Sequence, residues 1–385
     1  MSAQLTVLLV FIIASFNGPF GGNMVLPLFR NIQESFQTTK LVVNLTVTLY
    51  MIPFSILQIF SGVMSDLFYG RKRVVITGSL LYTLGSLIAF YSENILAFLF
   101  SRALQGIGSA FIVPITMAMI GDFFGPEKRG KIMGLGALAT TLGATLGPLV
   151  GGYVSLINWR LSFALMALFG VFILVTSLLM PEKGREGTTF SNLWVTISTG
   201  LSDPRVLSIG FLGMMIFFTR MSIFTFLSNT VLYPPYNLPS YLWGSYLFFA
   251  GLGGMVAGVL AGFLTDVLGR KRVAVIGFTF LVMAILSYML LNWFMILPIL
   301  LVLQAFLSTF AMTPLNTLAV EINPRLRGTV SALYGSMRFL GYALAPVVPY
   351  PLYAIYGIYA VFALDFVLAF IGLIIFSLVF KENSL

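Results

Sequence analysis

Twelve long apolar windows decide what this chain can fold into. They fall at 5–28, 42–62, 74–92, 96–120, 131–154, 160–180, 206–231, 241–264, 273–291, 295–317, 328–350 and 357–380. A helix needs about 20 such residues to cross a hydrocarbon core ~30 Å thick. The gaps are mostly short, as an all-α bundle of membrane-spanning helices requires. Only 9% of the 385 residues are charged and 59% are apolar, whereas soluble domains carry roughly 25% charge. Twenty-one basic and twelve acidic side chains cannot coat a soluble particle of this size. A soluble enzyme, an all-β secreted scaffold and a disordered hub are excluded. The first window follows Met1 to Gln4 with no basic leader, so it reads as a span and not as a signal peptide.

The missing residue types narrow the chemistry. Without Cys and His there is no disulfide, thiolate site or cysteine nucleophile, and no imidazole base or ligand. No metal and no cofactor are expected, and the chain is not expected to be an enzyme. Gly106-x-Gly108 lies inside a span and follows no strand, so it fails the context for nucleotide binding. No ATP motif is present, so any pumping must draw on an ion gradient.

The net charge of +9 is topological. With the N-terminus inside, the cytoplasmic segments hold Arg71, Lys72, Arg73, Lys128, Arg129, Lys131, Lys183, Arg185, Arg205, Arg270, Lys271, Arg272, Arg325, Arg327 and Lys381, fifteen of the twenty-one basic residues. Arg30, Lys40 and Arg160 face outside. This asymmetry obeys the positive-inside rule and puts both termini in the cytoplasm of a multi-pass cell-membrane protein. Charge scattered over six segments does not suit nucleic acid.

The chain is written twice. Gly62-Val-Met-Ser-Asp66-Leu-Phe-Tyr-Gly70-Arg71 returns as Gly262-Phe-Leu-Thr-Asp266-Val-Leu-Gly269-Arg270. Gln105 returns as Gln304, Pro126 to Gly130 as Pro324 to Gly328, and Pro148 as Pro346, all 198 to 200 residues later. Internal repeats of this length imply two copies of one unit, here two six-span halves in the same orientation. The expected division is an N-terminal bundle over 1–180, a cytoplasmic linker over 181–205 and a C-terminal bundle over 206–385. In the linker, Leu193, Trp194, Ile197 and Leu201 form an amphipathic turn pattern that suits either the membrane interface or solvent.

These motifs resemble those of the major facilitator superfamily. The loop after span two carries the family's Gly, an Asp four residues on and Gly-Arg-Lys; the second copy matches with closer spacing. Arg102-Ala-Leu-Gln105-Gly106-Ile-Gly108 is similar to a second family motif. Gly134, Gly143, Gly147, Pro148, Gly151 and Gly152 in span five resemble the motif of the antiporter and drug-exporter branches. The resemblance covers about residues 20–380. It implies two pseudo-symmetric six-helix bundles whose lobes tilt about a central cleft lined by spans one, four, seven and ten. The first loop departs by one extra residue between Asp66 and Gly70 and by having no base after Asp66. Span one, Asn17-Gly-Pro-Phe-Gly-Gly-Asn23, lacks the acidic residue many drug exporters carry there.

The residues themselves suggest roles. Asp66 and Asp266, with Gly62, Gly70, Arg71, Gly262, Gly269 and Arg270, form gating loops or merely solvated turns. As a gate, each carboxylate would accept from a helix N-terminus and pair with nearby guanidinium groups. An exposed pair contributes only ~0–1 kcal/mol, enough to bias a balanced equilibrium. Gly143, Gly147 and Gly151 clear one helix face for close approach in lipid, and Pro148 bends that helix.

Ionisable groups inside the bilayer cost at least ~2.5–3.5 kcal/mol on insertion scales, and four qualify: Arg102, Arg220, Arg338 and Asp365. Arg102 either handles proton or substrate, as the resemblance implies, or bridges carbonyls of a neighbouring helix. Arg220 is the substrate candidate. Arg338 and Asp365, at comparable depth, form an ion pair, or Asp365 carries a proton. Asp122 and Glu321 are interface charges. The implied cleft offers Asn17, Asn23, Arg102, Gln105, Arg220, Gln304, Thr309, Thr313 and Asn316 but no carboxylate. A neutral or anionic amphipathic substrate fits, because guanidinium groups can grip carboxylate or phosphate bidentately. The expectation is a monomeric, proton-coupled exporter working by alternating access in membrane lipid. An importer of organic anions or sugars is the alternative; a non-transporting subunit or a membrane enzyme fits less well.

Overall fold

Hydrocarbon offers no hydrogen-bonding partners, so each spanning segment must satisfy its backbone internally, and the helix does this within one segment. The computed structural model describes residues 3–67, 70–182, 197–322 and 327–380, except the side chains of 61–67, 126, 327 and 328. Among these residues the regular structure is entirely helical. The helices are α1 (Ala3–Asn23), α2 (Phe29–Phe36), α3 (Lys40–Leu67), α4 (Arg71–Tyr91), α5 (Ile95–Phe123), α6 (Pro126–Asn158) and α7 (Leu161–Leu178). There follow α8 (Pro204–Val231), α9 (Ser240–Leu268), α10 (Arg270–Leu290), α11 (Leu297–Glu321), α12 (Arg327–Leu344), α13 (Tyr350–Tyr356) and α14 (Ile358–Val379). Local chemistry starts several of them. The Asn94 side chain caps α5 by accepting from the Ala97 N–H at 2.8 Å. Asp203 caps α8 by accepting from the Arg205 N–H at 2.9 Å, and Pro204 sits where no amide donor is needed.

Eleven segments among the described residues are long and apolar enough to cross a membrane. The expected span 328–350 begins at residues whose side chains lie outside the described ones. Its helix stops at Leu344 and a turn leads into the short α13. Pro346 and Pro349 stand three residues apart, and two missing donors with two ring clashes end a helix. In α6, by contrast, the single Pro148 is accommodated and the helix runs on to Asn158.

Two compact units emerge, one of Met1–Leu193 with Pro239–Gly244, the other of Trp194–Leu238 with Ser245–Leu385. One division, between Leu193 and Trp194, falls within 181–205, the stretch read as a linker, while residues 239–244, from within the expected C-terminal bundle, group with the first unit. Residues 183–196 of that stretch, with Leu193 and Trp194, lie outside the described residues.

Within the first unit α4 packs on α5 and α7, and α1 on α5, α6 and α7. Within the second unit α10 packs on α11 and α14, and α8 on α11, α12 and α14. These five pairings thus recur from one unit to the other, in keeping with the sequence repeat.

A close seam joins α6 to α1. A Cβ added at Gly143, Gly147 or Gly151 would run into the carbonyl oxygen of Phe16, Phe20 or Met24 respectively. Glycines four residues apart on one helix therefore meet carbonyls four residues apart on the other, backbone to backbone. Gly152 stands against Ser240 and Tyr241 of the same unit. In the second unit Gly341 of α12 meets the Met214 carbonyl of α8, while Gly210 and Gly213 make room for the Met337 and Tyr334 side chains.

Candidate functional site

At the basic end of each unit, the repeated loop turns on a glycine with positive φ: +144° at Gly70 and +85° at Gly269. Side chains rarely tolerate that region, so glycine is needed for the turn. The next residue reaches an acid 51 positions later, Arg71 to Asp122 and Arg270 to Glu321, the latter at 2.5 Å. These pairs tie the start of α4 to the end of α5, and the start of α10 to the end of α11. Asp122 and Glu321 thus have partners inside their own units. The Asp66 and Gly62 side chains lie outside the described residues. Asp266 is exposed and makes no ion pair with a described residue. Gly262 has open space around it.

Deep in the first unit, Arg102 is fully buried. Its Nε donates to the Thr46 carbonyl of α3 at 3.0 Å, Nη2 to the Gly21 carbonyl of α1 at 3.4 Å and Nη1 to Gln105 Oε1 at 2.5 Å. The guanidinium also lies 4.5 Å from the Tyr50 ring centre. Gln105 in turn donates to Ser86 Oγ of α4 at 2.8 Å and touches Met166 Sδ of α7 at 3.5 Å. Tyr82 donates to Asn17 Oδ1 at 3.2 Å, and Tyr50 to the Gly18 carbonyl at 3.1 Å. Apart from the Arg102–Gln105 bond inside α5, each of these bonds joins two helices, so Arg102 acts here as a brace across α1, α3 and α5. Asn23 donates to the Pro19 carbonyl of its own helix at 2.9 Å. Tyr50 and Tyr82 were not among the sequence candidates; a tyrosine in an apolar span carries no signal of its partner.

The second unit keeps the glutamine and loses the brace. Counting by the 199-residue offset between Gln105 and Gln304, Leu301 stands in place of Arg102 and Ile285 in place of Ser86. Gln304 is fully buried with neither amide atom hydrogen-bonded. Asp365 on α14 is likewise fully buried. Ser222 of α8 is the polar side chain close enough to bond it, although among the described residues neither carboxyl oxygen meets full hydrogen-bond geometry. The expected ion pair between Arg338 and Asp365 is absent. Depth along two helices fixes height and not which way a side chain turns.

Arg338 instead faces α8 and α11. Its Nη1 donates to Asn316 Oδ1 at 3.3 Å, and its guanidinium lies 4.8 Å from the Phe217 ring centre, 5.0 Å from Phe339 and 5.4 Å from Tyr334. The buried Nε has no acceptor. One turn beyond Phe217, Arg220 stands 5.6 Å from the Phe224 ring centre with Tyr342 of α12 close by. Among the described residues Arg220 makes no hydrogen bond and no ion pair. Arg220 and Arg338 are therefore brought to one aromatic patch, with Phe217 and Tyr342, 6.3 Å between centres, shared between them. The sequence does carry a sign of this: Phe217, Arg220 and Phe224 share a face of α8, and Tyr334, Arg338 and Tyr342 a face of α12. Guanidinium groups donate and cannot ligate a cation, and no three carboxylates gather among the described residues, so the patch suits an anion better than a metal.

A family model for the Major Facilitator Superfamily matches residues 11–346 and, in a second match, 210–384. The chain belongs to this superfamily. The Bacillibactin exporter of Bacillus subtilis (strain 168) is 28% identical over 348 residues, covering 85% of either chain. Citrate exporter 1 of Aspergillus niger is 30% identical over 186 residues, 48% of this chain and 35% of that one, so the chain spans about a third of that relative. Among solved structures, a D-xylose-proton symporter superposes with a TM-score of 0.77 at 15% identity, covering 99% of both chains, a likeness of fold alone. The protein is thus a membrane transporter of small molecules and not an enzyme, as its residue inventory implied.

Proposed function

We propose that this transporter exports a small amphipathic molecule, neutral or anionic, by alternating access and in exchange for protons. It would work as a monomer in the lipid of the cell membrane, with both termini in the cytoplasm. The observation that carries the substrate class is Arg220, a guanidinium inside a membrane helix with no anion among the described residues to offset it. An ionised side chain within a membrane span is costly, and a substrate carboxylate or phosphate would give this half-buried guanidinium a partner. Export is favoured by the names of the Bacillibactin exporter and Citrate exporter 1, the second of which names a carboxylate cargo.

Asp365 is the proposed proton carrier. Of the helices packed on α14, α8 brings Arg220 as its charged group near this depth, α10 brings Tyr288 and α13 brings Tyr350, Tyr353 and Tyr356. No described side chain forms an ion pair with the carboxyl oxygens, leaving them to a transported proton. The test is efflux of fluorescein, an anion, and rhodamine 123, a cation, from proteoliposomes under an imposed pH gradient. The parent should move fluorescein faster with the gradient, Asp365→Asn should move it without regard to the gradient, and Arg220→Ala should fail to move it. Fluorescein flux in the parent that ignores the gradient would remove the proton from the mechanism. Rhodamine moving in preference to fluorescein would remove the anionic substrate.

A further inference from the structure

We infer that the second unit holds a recognition site for anionic aromatic compounds, the anion gripped by Arg220 and the ring laid against Phe217 and Tyr342. This inference rests on the anionic reading above and sharpens it to a chemical class. Three observations converge. First, unanswered donors gather on one patch: the Arg220 guanidinium, with no hydrogen bond or ion pair among the described residues, and the Arg338 Nε, buried with no acceptor there. What is missing there is an acceptor, and no described carboxylate provides it. Second, the walls are rings. Phe217 lies edge-on to Phe339 at 5.6 Å and 6.3 Å from Tyr342, and Phe224 flanks Arg220. Third, the two arginines lie against ring faces, where a cation is drawn to the π cloud. A flat aromatic acid would place its ring among these rings and its carboxylate towards a guanidinium fork.

An aliphatic acid would satisfy the charge and forgo the stacking. A neutral ring would do the reverse. Ring stacking contributes roughly 0.5–1.5 kcal/mol beyond area, a factor of about two to ten in affinity. A hydrogen-bonded charge contributes about 1.5–3 kcal/mol, a factor of about ten to a hundred.

The test is equilibrium binding to the full-length purified protein in detergent, with benzoate, cyclohexanecarboxylate, benzyl alcohol and benzyltrimethylammonium as probes. Benzoate should bind about two- to ten-fold more tightly than cyclohexanecarboxylate and more tightly than either of the other two. Arg220→Gln should weaken benzoate at least about ten-fold, and Phe217→Leu should bring the two carboxylates together while the melting temperature of each variant stays near that of the parent. Arg338→Gln supplies a second charge deletion should Arg220→Gln fold poorly. Equal affinity for the two carboxylates in the parent would overturn the aromatic class and leave an anion transporter standing. Tighter binding of benzyltrimethylammonium than of benzoate would overturn both.

Discussion

Replacing Gly147 with alanine would place a methyl group 2.5 Å from the Phe20 carbonyl oxygen, whereas ordinary contact begins near 3.4 Å. The two helices must then part by roughly 1 Å, and because Gly143 and Gly151 touch the same helix above and below, the whole seam opens. Overpacking of this kind costs about 1–3 kcal/mol. Alanine also returns up to about 1 kcal/mol of helix propensity, which would blur the result if Gly147 were changed alone. Gly134 removes that ambiguity. It lies on the same helix α6 and has no neighbouring atom within 4 Å, so Gly134→Ala should gain the propensity without the clash. The gap between the two variants then isolates the packing cost of about 1–3 kcal/mol. Thermal unfolding in detergent, followed by tryptophan fluorescence at a fixed scan rate, should show Gly147→Ala melting several degrees below Gly134→Ala. Both variants melting at the same temperature would refute a backbone-to-backbone seam between α1 and α6.

Arg102→Ala should destabilise the protein by at least about 2 kcal/mol, since it strands the Thr46 and Gly21 carbonyls and Gln105 in a buried site, while Arg220→Ala should not; melting of the two side by side checks this, and Arg102→Lys should rescue little because an ammonium lacks the fork geometry. Gly269→Ala should cost about 1–3 kcal/mol through backbone strain alone, because φ there is +85° and nothing stands within 4 Å. Gly262→Ala, in a helix and equally unobstructed, should cost nothing, and denaturation of both variants by SDS decides it.

The architecture was largely legible because its causes are local. Apolar length marks a span, and a repeated Gly-Arg pair after it marks the same turn twice. The spacing of Gly143, Gly147 and Gly151 announced a close seam, though not that α1 would be the partner. The sequence misled where direction mattered: Arg338 and Asp365 share a depth, yet one turns towards Phe217 and Asn316 and the other towards Ser222. The apolar run at 328–350 was legible too, though not the turn after Leu344, where Pro346 and Pro349 follow. Arg102 stood open between a functional group and a carbonyl bridge, and only the positions of Thr46 and Gly21, far off in the chain, reveal its bonds. The patch around Arg220 and Arg338 was half visible, since the aromatic residues flanking each arginine could be read but not their meeting.

Gln304 has a twin whose every obligation is met, and it has none of its own. Duplication hands both copies the same scaffold, and here one copy kept its rivet while the other let it go, leaving an idle amide in its interior. Such a vacancy frees the later half to acquire new duties without disturbing the earlier half, which can remain the anvil. Two copies of one scaffold thus differ at their buried glutamine, bonded in one half and idle in the other.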